Sequence, residues 1–218
     1  MVIRLAKDKN KALRATGHLI VIEGPDGVGK SELAASLYRS FKESGRSVLL
    51  KTFPGKEPGT LGKLVYELHH NSEKFDVMDM TAAANQLLHI AAHVDAIEQQ
   101  IIPALEAGTD IVMDRFWWST LVYGLAGSVD KDLLEQMIGV EKLAWASMKP
   151  DLLFLIDRDQ PFRNEPPDLW PLWKQYYAEL LSTEKTQHPC YVIENEGTIE
   201  EAEEAMKDIW VRFQRGTH

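Results

Sequence analysis

The eight residues from Gly24 to Ser31, Gly-Pro-Asp-Gly-Val-Gly-Lys-Ser, constrain this chain more than any other stretch. They follow a near-continuous apolar run, "HLIVIEG" from His18, and precede "SELAASLYRSFKES" from Ser31, which sets Leu33, Leu37 and Phe41 at helical spacing. A G-x-x-x-x-G-K-[ST] pattern between a strand and a helix is a phosphate cradle. Its glycines let successive backbone N–H groups face phosphate oxygens, and the helix N-terminus adds a favourable potential for an anion. Gly24, Gly27, Val28, Gly29, Lys30 and Ser31 are therefore the expected triphosphate contacts, with Lys30 on the β- and γ-phosphates and Ser31 on Mg²⁺. A nucleoside triphosphate with Mg²⁺ is the ligand this pattern predicts.

The rest of the chain supplies a sheet for that loop. Four further strands are expected, in "SVLLKTF" from Ser47, "DIVMD" from Asp110, "DLLFLID" from Asp151 and "CYVIE" from Cys190. Most are continuous apolar runs, as parallel strands covered on both faces must be, and helical stretches separate them. The expectation is a three-layer α/β/α fold on a five-stranded parallel sheet. The stretch from Met80 to Ala107 predicts a central helix with a kink or break at Pro103. "TIEEAEEAMKDIWVRF" predicts a last amphipathic helix capped by Thr198. Residues 1–16 read as a basic extension, 17–218 as a single domain, with a short lid near 158–170. Asp114 ends its strand at the sheet edge where open α/β sheets place ligands, so it is the expected second metal carboxylate. Arg115 follows it into the cleft.

Charge and composition narrow the partners. A formal net charge of −9 argues against a nucleic-acid polymer, whose phosphates require clustered cations. The single cysteine, Cys190, permits no intrachain disulfide, and no apolar run reaches the roughly 18 residues of a membrane span. A cytoplasmic protein acting on small molecules is the expectation.

The order and spacing of "IVIEGPDGVGKS", "KTFPGKEPGTLGKLV", "LLHIAAHVDAIEQQIIPALEAGTDIVMDRFWWSTLVYG" and "PDLLFLID" resemble the thymidylate kinase family over about residues 18 to 157. The resemblance implies a homodimer that moves the γ-phosphoryl of ATP onto dTMP. It also implies roles by position. Lys30, Asp114 and Arg115 would be catalytic, with Ser31 and Asp114 on the metal. Asp26 would approach the acceptor sugar, Lys56 and Arg115 would grip the acceptor phosphate, and Tyr123 would lie beside the sugar.

Three features depart from the family pattern. The two positions that normally read thymine, a phenylalanine and an arginine, are His89 and His93 here. The lid segment "RDQPFRNEPPDLWPLWKQYY" is short in arginine, which leaves Arg163 as the candidate catalytic arginine. Trp117 and Trp118 follow "DRF", where they could shape the acceptor pocket or pack the core. The leading expectation is thus a kinase for dTMP or a related pyrimidine deoxynucleotide, modified ones included. Two alternatives remain: the same fold acting on a purine nucleotide or a non-nucleotide acceptor, and a catalytically weak ATP-binding regulatory module.

Overall fold

The computed structural model describes residues 17–77 and 79–216; the basic extension lies outside the described residues. All five expected strands form, as β1 (Leu19–Glu23), β2 (Val48–Thr52), β3 (Asp110–Asp114), β4 (Leu152–Asp157) and β5 (Cys190–Glu194). They make one parallel sheet in the order β2-β3-β1-β4-β5. Every residue of β1 and β3 is buried, as strands covered on both faces require. The chain extends to one side of β1 through β2 and β3 and to the other through β4 and β5. The crevice beyond the C-terminal ends of β1 and β3 therefore lies at the topological switch point.

Helices cover both faces. Helix α1 (Lys30–Glu43) begins directly after Gly29, whose φ of 93° only glycine adopts without strain, and buries Leu33, Leu37 and Phe41. It packs on α8 (Ile199–Gln214), where Phe41 and Trp210 meet with ring centroids 4.6 Å apart. Thr198 caps α8 as expected and forms a full capping box with Glu201. A second group contains α2 (Leu61–His70), α3 (Ala82–Ala96), α4 (Ile102–Glu106), α5 (Trp117–Ala126), α6 (Lys131–Trp145) and α7 (Trp170–Glu184).

The expected break in the central helix is a π-turn over Ile97–Ile101, which joins α3 to α4 and puts Pro103 in the first turn of α4. Pro103 offers no N–H to the helical ladder, and the widened turn just before it is where a continuous helix accommodates that interruption. Trp117 and Trp118 are 5% and 0% exposed and belong to the core, so packing is their role. No helix among the described residues is long and apolar enough to cross a membrane.

Candidate active site

The residues singled out in the sequence converge on one cavity of about 630 Å³ at the C-terminal edge of the sheet. Asp26, Gly27, Gly29, Lys30, Ser31, Lys56, His89, His93, Asp114, Arg115, Tyr123 and Arg163 all line it. Gly24 and Val28 support the loop from behind. Gly24 has φ 143°, with the Ile156 carbonyl packed where a Cβ would sit, and the buried Val28 accepts a hydrogen bond at its carbonyl from Asn195 Nδ2 at 2.8 Å.

At the loop, Lys30 Nζ donates to the Pro25 carbonyl at 2.5 Å and lies 3.6 Å from Asp26 Oδ1. Burial, reinforced by the Arg115 charge, lowers the Lys30 pKa to about 8 against the pull of Asp26, Asp114 and Glu23. Ser31 Oγ donates to Asp114 Oδ2 at 2.6 Å, while Asp114 Oδ1 is buried without a partner among the described residues. A hydroxyl and a half-satisfied carboxylate facing a phosphate loop suit Mg²⁺, which takes one or two protein oxygens and completes its shell with phosphate and water. No group of three or more His, Cys, Asp or Glu side chains suited to a metal occurs among the described residues.

Asp26 is the electrostatic centre. It pairs with Arg115 Nη2 and Lys30, and Arg163 Nη2 stands 3.8 Å away. Burial alone would raise its pKa, but Arg115 and Lys30 outweigh burial and hold it at about 2. Lys30, Lys56, Arg115 and Arg163 outnumber Asp26, Glu32 and Asp114 in the cavity lining by one, and three of those cations gather at Asp26. Arg163, two thirds exposed, is also bonded to Glu165, so it approaches the site from the rim. Lys56 is exposed at the opposite wall, with Nζ 5.0 Å from the centre of the Tyr66 ring.

Arg115 is held in an uncommon backbone conformation, φ 77°, which costs a non-glycine residue roughly 1–2 kcal/mol. Its surroundings hold that shape. Its N–H donates to the Ile22 carbonyl at 2.9 Å, and Nη1 donates to Ser119 Oγ at 3.2 Å. Beneath lies Glu23, fully buried, which accepts from the Phe116 N–H at 2.7 Å, the Ser119 N–H at 3.0 Å, Ser119 Oγ at 2.8 Å and the Tyr177 hydroxyl at 3.0 Å. Burial raises its pKa despite these donors. The aiming of Arg115 thus depends on a residue that reads, in sequence, only as the end of a strand.

The segment between β4 and α7 runs over the loop without helix or strand through most of its length. The Phe162 N–H donates to the Gly27 carbonyl at 2.7 Å, and Trp170 Nε1 donates to the Asp26 carbonyl at 2.8 Å. Phe162 reaches the cavity, and the Arg158 guanidinium covers its ring at 3.6 Å.

The far end of the cavity is different in character. His89 and His93 lie there with Asn85 and Gln86, all from α3, and with His69, His70 and Tyr66 from α2. His93 is almost wholly buried. Its ring stacks on Phe53 at 3.8 Å, and its Nδ1 lies 2.8 Å from Glu141 Oε2 on α6. His89 is kept neutral, its pKa depressed to about 3 by burial and then by His93, His69 and Arg115. Tyr123 stands between the two ends, its ring near the Arg115 guanidinium and edge-on to Trp173. Sequence reading missed Glu23, Glu141, Gln86 and the α2 histidines. Only Gln86 carried a signal, since it precedes His89 by three residues on the same helix.

The thymidylate kinase family model matches residues 22–166, which is more than half of the chain. A thymidylate kinase of Chlorobaculum parvum is 35% identical over 142 residues, covering 64% of this chain and 60% of that protein. One from Gluconobacter oxydans is 35% identical over 148 residues, covering 66% of this chain and 65% of that protein. The matches thus span less than two thirds of these relatives' own length. The crystal structure of thymidylate kinase from Ehrlichia chaffeensis superposes with a TM-score of 0.71 at 21% identity, over 89% of this chain and 98% of that one, and shows the same fold.

Proposed function

The chain belongs to the thymidylate kinase family, and from that premise we propose that it transfers the γ-phosphoryl group of ATP to dTMP or a related pyrimidine deoxynucleoside monophosphate. The observation that carries this reading is the meeting of Lys30, Arg115 and Arg163 around Asp26, between a phosphate loop and the polar α3 end of the same cavity. The acceptor nucleophile is already an anionic phosphate oxygen, so no general base is required. What remains is to bring two polyanions into line and to stabilise the charge that spreads over the transferred group.

In this reading the backbone N–H groups from Gly24 to Ser31 and Lys30 hold the triphosphate. Ser31 and Asp114 would hold Mg²⁺, which when bound neutralises phosphate charge and orients the donor. Arg115 lies where the two phosphates would meet, Lys56 and Arg163 close in from the rim, and the 158–170 segment acts as a short lid that keeps water from the transfer. Asp26, freed of Lys30 once a phosphate takes that partner, is placed for the acceptor sugar, and Tyr123 for the sugar's face. The comparisons favour neither alternative, the different acceptor class or the weak ATP-binding module.

The same reading includes a cytoplasmic homodimer. The dimer's support is an outward apolar stripe, Leu133, Val140 and Leu143 on α6, the last 80% exposed, with Leu87 also exposed on the adjoining α3.

An ADP-release assay over a panel of nucleoside monophosphates tests the activity. ADP should appear only when a pyrimidine deoxynucleotide is supplied, and Lys30→Ala should reduce turnover by on the order of 10²- to 10³-fold. Equal turnover by the wild type and Lys30→Ala would remove the assignment.

A further inference from the structure

Gln86 is more than nine-tenths buried and lines the cavity, yet its carboxamide has no hydrogen-bond partner among the described residues. Its carboxamide therefore opens onto the cavity with its donor and its acceptor both free for a ligand held there. Its position shows where such a ligand would lie. Gln86, His89 and His93 stand at i, i+3 and i+7 on α3, so they share one face of that helix.

The neighbours on that face are already engaged or lack a fixed charge. His93 is fixed by Glu141 and by its stack on Phe53. Asn85 Nδ2 is within 2.7 Å of His69 Nδ1, which leaves its buried Oδ1 unpartnered. His89 is neutral, its pKa lowered to about 3 chiefly by burial. The cations at Asp26 mark the phosphate end of the cavity, and the α3 face, which carries no fixed charge, is left for the base.

Resting on the kinase reading above, we propose that Gln86 reads the hydrogen-bonding edge of the acceptor pyrimidine, and that it admits both 4-keto and 4-amino bases. A carboxamide carries one acceptor and one donor side by side. Oriented one way it pairs with the N3–H and O4 of thymine or uracil. Turned by 180° it pairs with the N3 and 4-amino group of cytosine. No neighbouring hydrogen bond fixes Gln86 in either orientation, whereas a guanidinium at the reading position offers donors only and prefers the keto base.

Steady-state kinetics at saturating ATP, with dTMP, dUMP and dCMP each varied, test this. The wild type should use dTMP and dCMP with kcat/KM values within about tenfold of each other. Gln86→Leu should raise the KM of both acceptors by about 10- to 100-fold, the loss expected for one buried pairing, with the KM for ATP and the melting temperature held. Turnover of dTMP with dCMP discriminated by more than 100-fold overturns the inference and leaves the kinase reading standing. So does a Gln86→Leu enzyme with unchanged acceptor KM. Failure to use any of the three overturns both.

Discussion

Lys30 shows how a single residue's surroundings set the conditions under which the site works. Buried at 5% exposure and close to Arg115, its ammonium gives up its proton at about pH 8, well below an ordinary lysine. A triphosphate placed against it would favour the charged form, so ATP binding above pH 8 must be accompanied by proton uptake. The sign follows directly. Below pH 8 Lys30 is charged before ATP arrives and contributes no pH dependence. Above it the binding-competent fraction falls, and ATP affinity should weaken by close to tenfold per pH unit. Titration calorimetry from pH 7 to 9.5 in buffers of different ionisation enthalpy checks both the weakening and the proton uptake. An affinity that stays flat through pH 9 would mean that Lys30 keeps an ordinary pKa.

At the scale of elements, the site is a set of ties between the end of one strand and the start of a helix. Glu23 closes β1, and its carboxylate gathers the first N–H groups of α5 together with Tyr177 of α7. Changing it to Gln places an NH₂ group among five donors, the Gly24 N–H included. Glu23→Gln should therefore cost about 1–3 kcal/mol of stability and lower kcat more than it raises the KM for ATP, since Arg115 and not the phosphate loop loses its support. Urea unfolding and initial rates measured together decide this; a kcat equal to wild type would mean that Arg115 keeps its place without the tie. The same element contrasts explain what was legible in the sequence. β1, β3, β4 and the loop were legible because burial on both faces and a fixed glycine spacing leave local signatures, while the part-exposed edge strands β2 and β5 showed only as short β-branched and apolar runs. Glu23 was not, because a carboxylate at a strand end looks the same whether it faces water or a ring of donors. The Glu141 partner of His93 lies 48 residues away on another helix, and no local pattern connects them. The π-turn at Ile97–Ile101 was visible only as a disturbance near Pro103, since one extra residue in a helical turn leaves the apolar spacing almost unchanged.

For the whole molecule, α3 connects the acceptor site to the proposed dimer. One side of this helix presents Gln86 and His89 to the cavity, and another exposes Leu87, while the adjoining α6 exposes Leu133, Val140 and Leu143. The α6 positions are seven and three residues apart, which aligns them on one helical face, and a patch of this kind can meet its own copy across a two-fold axis. Each leucine or valine covered there is worth roughly 1.5–3 kcal/mol, so a charge at the centre should be enough to separate the subunits. Sedimentation velocity should show twice the mass of one chain for the wild type and a single chain for Leu143→Glu. Since α3 would lose its external support in the monomer while the phosphate loop would not, the KM for the acceptor should rise in this variant and the KM for ATP should hold. A wild type that sediments as a single chain would remove the dimer, and a monomeric variant with unchanged acceptor KM would show that α3 is rigid enough on its own.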